Sequence, residues 1–227
     1  MALIGISGYL LAGCAYLVFI LLLLAARNNT LSGRLVLLGS VFVLASSVAA
    51  AIQIEQGFSL QLVLLIETFK LATWSLLVLC TQANVHSLQA AFRQPKIKQY
   101  LLTWLVLSAF CWLAALSQPN GAKYLFSLFL LLNLWLMVLL EQLYRNADVK
   151  VKWALWSLII ALGMTTVFDF VLFAQAAMIN QLDFSYWYAR GFIAAVGMPL
   201  ILVSTRRIKN WSVNVFVSRD VVFYSSM

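Results

Sequence analysis

The chain has 227 residues, of which 64% are hydrophobic and 10% charged. A soluble domain is nearer half apolar and a quarter charged, so this composition excludes an ordinary soluble fold. The net charge of +8 does not point to nucleic acid, because basic residues in a membrane protein gather in cytoplasmic loops and face anionic lipid.

Seven apolar segments reach the length that spans a bilayer core at 1.5 Å rise per residue. They cover residues 4–26, 35–54, 60–82, 99–117, 122–144, 153–178 and 187–205. The fold class expected is all-α: a polytopic bundle of seven transmembrane helices. The first segment contains "YLVFILLLLAA", which lacks the alternation of a membrane β-barrel strand. It has no basic n-region and is too long for a signal-peptide core. Between segments lie "RNNTLSGR", "EQGFS", "RQPKIK", "SQPNG", "YRNADVK" and "NQLDFS", each rich in turn formers.

The basic residues sort by loop. Arg27 and Arg34 follow the first span, and Arg93, Lys96 and Lys98 follow the third. Arg145, Lys150 and Lys152 follow the fifth, and Arg206, Arg207 and Lys209 follow the seventh. Only Lys123 and Arg190 lie toward the other side. The positive-inside rule then sets the N-terminus outside and the C-terminal tail in the cytoplasm. Residues 1–210 form the expected membrane domain. Residues 211–227 are either an amphipathic tail on the inner surface or the start of an eighth span.

Charges inside hydrocarbon are costly and tend to mark function. The third span carries Glu67 and Lys70, three apart and so on one helix face, with Trp74 continuing the stripe. The sixth carries Asp169, and the seventh opens on Arg190 just after Asp183. In the expected orientation these two acids and two bases reach similar depth. Two readings stand: a polar pocket for a small ligand, or interhelical ion pairs that set helix register. Glu141 reads as an interfacial partner of Arg145. Gly197 and Pro199 fall mid-span, where proline removes a backbone hydrogen bond and makes a kink or hinge. "FSYWY" (Phe184 to Tyr188) reads as an interfacial aromatic belt.

Several chemistries are excluded. His86 is the only histidine and reads as a loop residue, so the chain alone supplies no bis-histidine haem site. No metal-ligand pattern, P-loop, HExxH or GxSxG occurs. No catalytic residue, metal site or cofactor is expected. Cys14, Cys80 and Cys111 lie in apolar runs and read as small core residues.

A set of segments carries a resemblance. "LIETFKLATW" is followed by "LEQLYRN" (Leu140 to Asn146) leading into "KWALWSLIIALG". Then come "FDF" (Phe168 to Phe170), "WYARGF" (Trp187 to Phe192), "MPLILVSTRR", Trp211 and "VSRDVVFYS" (Val217 to Ser225). In order and spacing they resemble the membrane sensor region of the PrsK histidine kinases of the PEP-CTERM and exosortase system. The resemblance implies an eighth span entered by the last of these segments, then a GAF-like domain and a kinase core using ATP and Mg. It implies a PrsR-like response regulator, a homodimer in the bacterial inner membrane, and control of exopolysaccharide and PEP-CTERM genes. No phosphoacceptor region or ATP-binding glycine box occurs here, so the tail reads as the stub of a longer protein. The expected function is a sensory input module, with Arg206, Arg207 and Lys209 transmitting the signal. The alternatives are a small transporter or channel, and a free-standing membrane adaptor.

Overall fold

A computed structural model describes residues 2–26, 30–57, 59–85, 87–118 and 121–207. The tail at 211–227, Lys209 and His86 lie outside the described residues.

The described residues form eight helices and no strands. They are α1 (Ala2–Ala25), α2 (Leu31–Gln56), α3 (Leu60–Gln82), α4 (Leu88–Arg93), α5 (Pro95–Ser117), α6 (Ala122–Asn146), α7 (Val149–Ile179) and α8 (Phe184–Arg207). All but α4 are long and apolar enough to cross a membrane. The chain is a multi-pass membrane protein. Leu10, Leu17, Leu21, Leu102, Phe110 and Leu113 are exposed on the outer surface, where lipid rather than water solvates them.

α3 keeps the expected bounds, but several other helices run further than hydropathy alone suggests, because polar and turn-forming residues begin and end them. α2 begins at Leu31 rather than 35: the Thr30 hydroxyl accepts a hydrogen bond from the Gly33 amide at 3.2 Å. It ends at Gly57, whose φ of 69° is left-handed, the usual stop for a helix. Pro95 opens α5, so Lys96 and Lys98 are helical rather than loop residues. Asn180 closes α7 at φ 55°. Asp183 then starts α8, its carboxylate accepting from the Ser185 amide at 2.8 Å and its carbonyl from the Trp187 amide at 3.0 Å. α4 has no counterpart in the expected spans; it is a single N-capped piece within the loop after α3, where the Ser87 hydroxyl accepts from the Ala90 amide.

Six helices close a circuit: α1 packs on α2, α2 on α3, α3 on α6, α6 on α7, α7 on α8, and α8 on α1. α5 stands outside, against α6 and α3, and carries α4. The α1–α8 seam is the tightest. A Cβ placed on Gly191 would run into the backbone of Gly8 and Tyr9. Gly5 lies under the ring of Tyr188 and Gly8 under that of Phe192. Small residues let membrane helices approach until their backbones touch. Elsewhere aromatic pairs fill the gaps, with Phe129 stacked on Phe173 at 4.8 Å between α6 and α7. Cys80 and Cys111 are buried, but Cys14 is exposed: it lies on the outer side of α1, so it is not the core residue expected.

Candidate functional site

The charged residues of α3, α7 and α8 meet inside the circuit. Arg190 is six residues into α8 and Glu67 seven into α3, each roughly 9–10 Å along its helix. Asp169 is ten residues before the end of α7, roughly 15 Å. α3 and α8 run in one direction and α7 in the other, which brings the three charges to a similar level.

Arg190 is the hub. Its Nε donates to Asp169 Oδ1 at 2.6 Å, and its Nη2 to Asp169 Oδ2 at 2.8 Å. Nη2 also donates to Glu67 Oε2 at 3.0 Å. The first two form a bidentate fork, which only a planar guanidinium can make. The third reaches α3, which is not a neighbour of α8 in the circuit. Lys70 Nζ pairs with Glu67 on its own helix and lies 3.9 Å from Asp169 Oδ2. The side chains are 5% exposed for Glu67, 7% for Arg190, 9% for Asp169 and 14% for Lys70. Two acids balance two bases, so the cluster carries no net charge. Each charge has an opposite partner, the condition for keeping ions out of water.

Aromatic groups complete the surroundings. The guanidinium lies 4.6 Å from the Trp187 ring centroid and 5.8 Å from that of Phe173. The Tyr9 hydroxyl donates to the Trp187 carbonyl at 2.7 Å, tying α1 to the turn of α8 that carries Arg190.

A cavity of about 30 Å³ adjoins the cluster, lined by Tyr9, Ser46, Ser47 and Thr165 together with the four charged residues. That is room for one or two waters. Pockets for small organic ligands run from roughly 300 Å³ upward.

Trp74 belongs elsewhere. It is buried against α2, where a Cβ on Gly39 would lie 3.1 Å from its ring, and it does not line the cavity. Asp183 serves as the start of α8 rather than as a cluster member. Pro199 is exposed and lies inside the continuous helix from Phe184 to Arg207. Gly197 faces α7, where a Cβ would sit 3.7 Å from the Ala161 carbonyl, an ordinary contact. Arg206 and Arg207 form the last turn of α8, and the Arg207 guanidinium lies 3.9 Å from the Trp153 ring centroid near the start of α7. Glu141 and Arg145 pair at 3.4 Å on the exposed end of α6. Among the described residues, no group of His, Cys, Asp and Glu is placed to hold a metal ion.

Tyr9, Ser46, Ser47 and Thr165 are site residues that carry no charge and so do not stand out in an apolar sequence. Their signals are present in the sequence: a serine pair interrupts the apolar run of α2, and Gly5 and Gly8 flag close approach beside Tyr9.

Scans against family models, curated proteins and solved structures each return no match for this chain.

Proposed function

We propose that this chain is the membrane sensory input module of a two-component histidine kinase of the PrsK kind. It sits in the bacterial inner membrane with its N-terminus outside. The observation that supports this most is the bridge from Arg190 on α8 to Asp169 on α7 and Glu67 on α3. A buried ion cluster joining three helices is either made or broken, since leaving one charge unpaired costs about 3–5 kcal/mol. Such an element gives a bundle two packings whose populations a stimulus can shift. α8 supplies the hub and also ends in Arg206 and Arg207. Motion of α8 therefore carries the state of the cluster to the membrane surface, with Gly197 and Pro199 as the flexing segment. The water-sized cavity favours a switch set by helix position or membrane state over a receptor for a metabolite.

In this reading the module works as a homodimer in the lipid bilayer. It passes its signal to a kinase core that uses ATP and Mg, and from there to a PrsR-like response regulator. The output is control of exopolysaccharide and PEP-CTERM genes. The test is genetic: transcripts of those genes are measured in the source cell after deletion of this gene and after replacement by Arg190→Gln. Deletion should change them several-fold, and R190Q should fix them at one level whatever the growth condition. Transcripts that keep their normal regulation in the deletion strain would contradict the proposal.

A further inference from the structure

The cavity beside the cluster has an unusual polarity. The hydroxyls of Ser46 and Ser47 both donate to the Val43 carbonyl, at 3.0 and 2.8 Å. Thr165 donates to the carbonyls of Ala161 and Leu162, and Tyr9 to that of Trp187. Each lining hydroxyl has thus spent its single proton on backbone and offers the cavity lone pairs only. Glu67 and Asp169 add carboxylate oxygens. The donors among the lining residues are Lys70 and Arg190, of whose three nitrogens Nε and Nη2 are held by the carboxylates. An acceptor-rich hollow of about 30 Å³ is too small for an organic ligand and has the size of a bare monovalent cation or a water.

Lys70 is the most exposed of the four charges and makes the loosest interhelical contact, 3.9 Å to Asp169. Its ammonium rides on a flexible stem that can swing to another level. With Lys70 withdrawn, Glu67 and Asp169 face Arg190 alone and the site is left one negative charge in excess.

We propose that this hollow is a site for a small monovalent cation (sodium, potassium or ammonium), with the Lys70 ammonium at its wall as the built-in competitor for Glu67 and Asp169. The side chain and a free cation then compete for the same oxygens. This goes beyond the sensory reading by naming a ligand class, and it is tested on the purified chain with no signalling output, so either can fail without the other.

The experiment is thermal unfolding of the full chain in detergent, followed by tryptophan fluorescence, in the chlorides of choline, sodium, potassium and ammonium at one ionic strength. The wild type should unfold at the same temperature in all four. Lys70→Met, which keeps the stem and removes the charge, should unfold earlier in choline chloride. It should regain roughly 3–6 °C in at least one small cation at ten times its dissociation constant. Adding Glu67→Gln to K70M should abolish that gain. Equal unfolding temperatures for K70M in all four salts would overturn the proposal, as would a gain that survives in the double variant. If K70M cannot be purified in choline chloride, its recovery on extraction into each salt decides. Recovery only with a small cation supports the site, and recovery in none overturns it.

Discussion

α8 and α5 both cross the membrane but are held in opposite ways. α8 is held by discrete contacts that are either made or broken: the fork onto Asp169, the reach to Glu67, the Tyr9 bond, and backbone contact with α1 at Gly191. α5 is held by surfaces that tolerate sliding. Tyr100 meets Trp135 edge-on at 5.0 Å, Trp104 lies tilted 6.5 Å from Phe69, and a long 3.4 Å bond runs from the Trp112 indole to Thr68. The difference teaches where information can be stored. A helix held by apolar area loses stability gradually when it shifts, whereas a helix held by paired charges must keep or break them together.

That contrast can be broken most severely at Arg190. Arg190→Ala leaves two carboxylates buried with one lysine, and it should cost about 3–5 kcal/mol of stability, read as a large fall in unfolding temperature or loss of the protein from membranes. Gly191→Val comes next. The added side chain meets backbone, which cannot rotate away, so α1 and α8 must separate at a cost of about 1–3 kcal/mol. A disulfide between cysteines introduced across that seam would form more slowly in the variant. Trp112→Phe on α5 removes one weak hydrogen bond and should cost roughly 0.5–1.5 kcal/mol in the same unfolding assay. Phe110→Ala, on the exposed side of α5, should stay within about 0.5 kcal/mol of the parent. A loss at Phe110 as large as that at Arg190 would erase the distinction between the two helices.

The helices were legible because bilayer thickness imposes a length and lipid imposes an apolar composition. Their ends were less so: Thr30 and Pro95 are polar or turn-forming residues that begin helices here rather than interrupt them. Glu67, Lys70, Asp169 and Arg190 stand out for a physical reason, since charge is rare where water is absent. That they touch could not be read from sequence spacing alone. The Arg190–Glu67 contact joins residues 123 positions apart and depends on α3 and α8 facing each other across the circuit. Trp74 shows the limit of helical periodicity. It lies on the same stripe as Lys70, yet one turn further on that stripe meets α2 at Gly39 instead of the cavity. The serines escaped because hydroxyls in membrane helices usually bond their own backbone, and these do so while also lining a site; Tyr9 escaped because its partner, the Trp187 carbonyl, lies on the far helix α8.

The central claim is that Arg190 and Asp169 act as one interhelical unit. A double-mutant cycle with Arg190→Met and Asp169→Leu, followed by unfolding of all four proteins in the same detergent, addresses it directly. Each single variant should be strongly destabilised, and the double should recover much of the loss, giving a coupling of roughly 1–3 kcal/mol. Losses that simply add, to within about 0.5 kcal/mol, would show that the two residues do not depend on each other and would contradict the account.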